Sequence, residues 1–301
     1  HPNCLKAWAL IFDGVKQHAA PYYYRPYYIL LDLLKTQGWT EEVLMFVSTE
    51  MAPYLRYSPA TGINGAIPPR SEWDNIELHH LGNWEVKSPF RDLTKIDLPK
   101  EKNLLKLARI LEGHLRLSDR QHERIGSVMF YPPSCYPDVV SEEDNQEFNL
   151  FRLVFDDLAQ LFPDDARIMA SGWCFDDGLQ FIKLKLYALK FKSLFTASEV
   201  TEAICTINRT LFWSDKSRQE LLFLIKERWD DLLTLEKERV IGKLLEGPER
   251  YEYWSESEYP EYKADSVAEY FKWIDIRREA IPASLMDTYD ALAPALNQVT
   301  E

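Results

Sequence analysis

Between residues 141 and 248 the sequence sets out helix starts and stops at a density that leaves little room for any other structure. Ser141-x-x-Asp144, Thr196-x-x-Glu199 and Ser217-x-x-Glu220 each place a hydroxyl three residues before an acid, and Pro163-Asp164-Asp165 opens a further helix. A hydroxyl at the first position accepts from an orphan amide of the opening turn, and the acid reaches back, so two unsatisfied donors are met together. Apolar stripes at helical spacing follow these starts. Phe148, Phe151, Leu153, Phe155, Leu158 and Leu161 form the first, and the Pro163 helix ends near Trp173. A strongly apolar helix is expected from Asp177 to about Leu194, and the Thr196 helix should reach Asn208. The Ser217 helix carries Leu221, Leu224, Ile225, Trp229, Leu232 and Leu233, and the next, from Glu236 to Leu245, halts at Gly247-Pro248. Caps and stripes that agree over so long a stretch specify a helical array.

The N-terminal part reads as stacked hairpins. Leu5, Trp8, Ala9, Phe12 and Val15 share one helical face over 5–18, and Pro21 with Tyr22-Tyr23-Tyr24 opens a second helix that Gly38 stops. Thr40 caps a third with Val43, Phe46, Val47 and Leu55 as its stripe. From 58 to 98 Gly and Pro break the pattern, so a long loop insertion is expected there. Within it the alternation of 76–81 has a candidate partner in 84–90, which gives a small β-hairpin. Helix resumes at Pro99 and runs to about Leu117, after which Ser118-x-x-Gln121 reads as the cap of another that fades at Gly126. Tyr131-Pro132-Pro133 through Pro137 is a second break. A last long helix is placed over 266–279 and a short one over 284–292, separated by Pro282. The expected fold is all-α, an irregular α-solenoid of stacked helical hairpins with one loop insertion. Its segments are hairpins over 1–57, the insertion over 58–98, a central array over 99–248 and an acidic aromatic segment with C-terminal helices over 249–301.

Acids outnumber Lys plus Arg by 48 to 35, a net charge of −13, which disfavours a phosphate backbone as ligand and points to protein partners. Cys4, Cys135, Cys174 and Cys205 form no CxxC pair and no zinc spacing, and scattered thiols fit a reducing cytoplasm. No apolar run is long enough to span a membrane. The chain begins at His1 in helical material, which suggests one part of a larger polypeptide. HExxH, GxSxG, GxGxxG and GxxxxGK[ST] are all missing. Two constellations remain for metal chemistry: the pairs Asp156-Asp157, Asp164-Asp165, Asp176-Asp177 and Asp230-Asp231, and His79-His80 beside Glu77 and Asp74. Two of the Asp pairs fall at expected helix starts, where acids complement the macrodipole, and Asp157 lacks a carboxylate four residues on, so a structural role is preferred. We expect no cofactor and no metal. The recognition candidates are aromatic: Tyr22, Tyr23, Tyr24 and Tyr27 near the N-terminus, Trp84 in the insertion, and Tyr251, Tyr253, Trp254, Tyr259 and Tyr262 interleaved with acids.

The order Pro163-Asp-Asp-Ala166, Trp173, Tyr187-Ala188-Leu189, Phe212-Trp213, Arg218-x-Glu220-Leu-Leu222, Arg228-Trp229, Arg239 followed by Val240-Ile241, and Leu244-Leu245-Glu246-Gly247-Pro248 resembles the C-terminal helical regions of large bacterial antiphage defence proteins. Those proteins carry sirtuin-like or STAND-type NTPase modules at their N-termini. The resemblance spans roughly 100–250 and implies a non-catalytic sensor or scaffold. Such a region recognises a protein trigger, a phage protein included, or self-associates, and so controls an effector elsewhere. None of the sirtuin or NTPase motifs occurs in this chain. A metal-dependent all-α enzyme and a structural spacer between domains are the alternatives.

Overall fold

A computed structural model of the chain describes residues 26–50, 52–57, 61–62, 65–66, 76–79, 99, 102–125, 134–136, 146–252 and 254–296. Among them are twelve α-helices and two short antiparallel strand pairs, an all-α class. The helix expected over 5–18 lies outside the described residues, as do Tyr22, Tyr23, Tyr24 and Trp84. The chain divides into two compact units: 1–133 with 140–166, and 134–139 with 167–301. Both draw on the expected 99–248 array.

In the first unit α1 (Pro26–Gln37) ends at Gly38, which takes a left-handed φ of 66°, a conformation that costs glycine nothing. Thr40 then accepts from the Val43 amide at 3.3 Å and starts α2 (Glu41–Glu50), whose Val43, Phe46 and Val47 are buried as the stripe requires. Leu55 is not on that stripe. Pro53 bars the helix from continuing, and Leu55 instead lies in β1 (Tyr54–Tyr57). β1 pairs antiparallel with β4 (Ile76–His79), Leu55 opposite Leu78 and Arg56 opposite Glu77. β2 (Thr61–Gly62) and β3 (Gly65–Ala66) pair between them. β4 thus pairs with 54–57, the aromatic run that follows Pro53, and the partner expected over 84–90 lies outside the described residues.

α3 (Lys102–Ile125) is one continuous helix. Ser118 does not cap a second one. It sits inside α3, fully buried, because its position continues the stripe of Leu104, Leu107, Ala108, Leu111 and Leu115. Each large apolar side chain on that stripe contributes about 1.5–3 kcal/mol on burial, more than the ~1 kcal/mol an N-cap offers, so the stripe decides. α3 packs on α2 and on α4 (Gln146–Leu161). His114 joins all three, its Nδ1 2.7 Å from Glu147 Oε1 and its Nε2 3.2 Å from the Ser48 carbonyl. α5 (Pro163–Ser171) opens at Pro163 with Asp164 and Asp165 in its first turn.

The second unit takes α5 from Arg167 onward and adds α6 (Leu179–Ala188), α7 (Ala197–Thr206), the short α8 (Arg209–Phe212), α9 (Arg218–Arg228), α10 (Thr234–Leu245), α11 (Tyr259–Ile274) and α12 (Met286–Leu296). α6 packs on α9, α7 on α10, and α11 on both α9 and α12. α6 ends at Ala188, short of the expected Leu194, and turns carry the chain to Thr196. Thr196 and Glu199 form the expected capping box at α7. α7 stops at Thr206, and Asn208 caps α8 separately by accepting from the Leu211 amide at 2.8 Å. The box expected at Ser217-x-x-Glu220 does not form. Ser217 donates instead to the Leu211 carbonyl at 3.0 Å, and Glu220 turns into the interior. After α9 a 3₁₀ turn over Trp229–Asp231 breaks the helical phase, so Leu232 is buried while Leu233 is 70% exposed and off the expected stripe. Gly247, at φ 65°, stops α10 as the sequence predicted.

Candidate functional site

The corner that follows α10 holds the sequence-predicted aromatic segment. Just beyond the end of α10 the carbonyls of Glu246, Gly247 and Pro248 turn to Arg209, at the first position of α8. Its guanidinium donates to the Gly247 carbonyl at 2.6 Å and the Pro248 carbonyl at 2.9 Å, while Tyr259 Oη donates to the same Pro248 carbonyl at 2.8 Å. A cation at a helix C-terminus is favourable to the macrodipole as well as to the carbonyls. Lys263 lies across Gly247, so close that a Cβ there would meet its Cγ at 2.6 Å. Burial, with Arg209 adding to it, lowers the pKa of that ammonium.

From this corner the chain enters α11, which begins at Tyr259, seven residues before the expected Ser266. The signal was present in the sequence: Ser255 accepts from the Glu258 amide at 3.2 Å and Glu258 from the Ser255 amide at 3.2 Å, a reciprocal pair ahead of Pro260. The Ser255 hydroxyl also donates to the Glu258 carboxylate at 2.6 Å and pulls its pKa down. The early start aligns Tyr262 with Trp254, and the two rings stack at 4.8 Å with 15° between their planes. Tyr251 is 40% exposed beside them in sequence. Around these rings Glu252, Glu256, Glu261 and Asp265 are exposed. Asp265 stands one turn beyond Tyr262, and Glu261, one turn before Asp265, shares its side of the helix surface. Glu256 pairs with Arg250 at 3.4 Å, whereas Glu252, Glu261 and Asp265 make no ion pair among the described residues.

The predicted aromatics thus separate by role. Trp254 and Tyr262 stack, Tyr251 is exposed three residues before Trp254, and the hydroxyl of Tyr259 is committed to the corner. Tyr253 lies outside the described residues, and Tyr27 falls on α1. Arg209, which fixes the corner, was not anticipated; it is 38 residues from Gly247, and no local pattern links them.

One member of each of three Asp pairs is engaged, and the fourth pair, Asp164-Asp165, lies in the first turn of α5. Asp156 takes Arg152 at 3.1 Å, Asp177 accepts from the Cys174 amide at 2.8 Å, and Asp231 takes Lys192 at 2.7 Å and Arg228 at 3.0 Å. Those hydrogen bonds hold the Asp231 pKa low, Lys192 most of all. His79 ends β4 opposite Tyr54, and His80 lies outside the described residues. Among the described residues no three His, Cys, Asp or Glu side chains converge as a metal site, and no helix is long and apolar enough to cross a membrane. Cys135, Cys174 and Cys205 are free thiols.

No family model matches the sequence, and no solved structure matches it. Over 174 residues the chain is 28% identical to "Uncharacterized protein y4cA" of Sinorhizobium fredii, an alignment covering 54% of this chain. It covers 14% of that much longer protein.

Proposed function

We propose that this chain is a non-catalytic helical recognition region of a larger bacterial protein, and that it binds a basic segment of a protein partner at the corner formed by α10, α8 and α11. The carrying observation is the stacked Trp254–Tyr262 pair with exposed Tyr251, near the exposed acids Glu252, Glu261 and Asp265, which make no ion pair among the described residues. An arginine side chain suits both components, since its guanidinium lies flat on an aromatic face and forks onto carboxylates. Arg209 and the Tyr259 hydroxyl hold the backbone beneath, so little order has to be gained on binding. The engagement of Asp156, Asp177 and Asp231 by neighbouring groups supports a structural role for those carboxylates over a catalytic one. The long Sinorhizobium fredii relative supports placement within a longer chain. The sensor or scaffold role in antiphage defence rests on the sequence resemblance over roughly 100–250.

Magnitudes set the kind of partner. One exposed cation–π contact contributes about 0.5–1 kcal/mol and each exposed ion pair about 0–1, so a single arginine at this corner binds no better than roughly millimolar. The partner must present several basic residues or further contact area. Self-association through the same face is disfavoured, because two copies would bring their acids together. A photo-crosslinking residue introduced at Tyr251, used in bacterial cells, is expected to capture a Lys/Arg-rich segment of another protein, with capture lost in Trp254→Ala. Capture of acidic or apolar segments, or equal capture by Trp254→Ala, overturns the proposal.

A further inference from the structure

Ser134, Cys135 and Tyr136 belong to the second unit, although they fall between stretches of sequence, 1–133 and 140–166, that group as the first. Ser134, Cys135 and Tyr136 are all buried there. The Cys135 amide donates to Glu220 Oε1 at 3.1 Å, the contact that draws Glu220 away from capping α9. The Tyr136 ring lies parallel on Phe223 of α9 at 4.1 Å and edge-on to Tyr187 of α6 at 5.6 Å. Lys190 stands over Tyr136 at 5.4 Å. We infer that Ser134-Cys135-Tyr136 is a releasable strap, which opens without unfolding of the second unit and uncovers an aromatic pocket between α6 and α9. This goes beyond the basic-segment reading and does not depend on it.

Two features carry the inference. The first is that the pocket walls have supports of their own. Phe223 packs edge-on against Trp273 at 4.8 Å, Tyr187 against Phe191 at 5.7 Å, and Lys190 sits 3.7 Å from the Tyr187 centroid. Lys183, 3.8 Å from Glu220 Oε1, keeps a countercharge beside the carboxylate when the Cys135 amide departs. The second is that the strap docks imperfectly: the Tyr136 hydroxyl is buried with no hydrogen-bond partner among the described residues. That cost exists only in the docked state and is relieved when the phenol meets water, so it biases this segment toward opening first. The uncovered pocket offers two aromatic walls and a carboxylate acceptor. It fits an extended segment bearing an aromatic side chain preceded by a free amide, the arrangement the strap itself supplies.

Cys135, fully buried in the strap, is the reporter. Alkylation of the full chain with iodoacetamide, mapped by peptide mass spectrometry, gives its rate at increasing urea below the unfolding transition. A strap that opens locally makes the rate nearly independent of urea, because little surface is exposed. Tyr136→Leu, which loses the stack, is expected to raise the rate at least about tenfold, and Tyr136→Phe, which removes the unpartnered hydroxyl, to lower it about five- to tenfold. The inference is overturned if the wild-type rate climbs with urea at the slope of global unfolding from the lowest concentrations. It is equally overturned if Tyr136→Phe labels as fast as the wild type or faster. Circular dichroism on each variant checks that the helices are retained.

Discussion

Replacing Arg228 tests how the second unit is held. This side chain is 2% exposed at the end of α9, and its guanidinium is spread over three acceptors. It donates to the Leu189 carbonyl at 2.7 Å, the Phe195 carbonyl at 3.0 Å and Asp231 at 3.0 Å. Leu189 and Phe195 bound the turns that cut α6 short, and both are buried, so their carbonyls have little access to water. In Arg228→Ala both carbonyls lose a charged donor at about 1–3 kcal/mol each, while Asp231 keeps Lys192. Adding the space left by the stem, the expected loss is about 3–5 kcal/mol. Arg228→Lys keeps the charge but not the fork and reaches one acceptor in place of three, so roughly 2–3 kcal/mol should be lost. Because the chain has two units, a single global transition is the wrong readout. Urea unfolding followed by pulsed labelling of Cys205, which lies on α7 in the second unit, reports the relevant one. A loss below about 1 kcal/mol in Arg228→Ala would refute the reasoning, since the buried carbonyls would then have found other donors.

Gly247→Ala forces a left-handed φ of 65° on alanine and pushes a Cβ onto the Lys263 stem, so about 1–2 kcal/mol of the second unit's stability should be lost, read by the same labelling. The Arg167 hydrogen bond, with the Thr196 amide helping, holds the Glu199 pKa down at about 2, against 4.5 unperturbed. Its folded value lies below its unfolded one, so the stabilisation is present above pH 4.5 and is lost as pH falls toward about 2. Glu199→Gln should lack that component, and the wild-type minus variant difference in urea midpoint should shrink across this window. A difference that stays constant from neutral pH down to about 2 contradicts the assignment.

The all-α class was legible because caps and stripes are local, and where both agree the structure follows them. Thr40, the Thr196–Glu199 box and Gly247 do what their sequence positions predict. The failures share a cause, namely competition from a partner far along the chain. Ser217-x-x-Glu220 carries the same pattern as Thr196-x-x-Glu199, yet Glu220 is claimed by the Cys135 amide, 85 residues away, and Lys183 stands beside it. Ser118 looks like a cap until the burial of its helix face is known. Leu55 belongs to a strand because Pro53 ends the helix and a partner exists at Leu78. At the candidate site the aromatic–acid alternation was visible in sequence, but not which ring is structural. Tyr259 is structural because the Pro248 carbonyl lies within reach of its hydroxyl.

The central claim is that the Trp254–Tyr262 corner, and not net charge alone, recognises basic segments. A chain of net charge −13 attracts any polycation, so the decisive measurement compares two variants of equal charge. One is Glu252→Lys/Glu261→Lys/Asp265→Lys at the corner; the other is Asp176→Lys/Asp230→Lys/Asp287→Lys, at exposed acids elsewhere in the second unit. Binding of a fluorescently labelled poly-arginine peptide at moderate salt should weaken at least about tenfold, roughly 1.4 kcal/mol, in the corner variant and by much less in the other. Equal weakening in both variants would mean that only the overall field acts, and would contradict the recognition role.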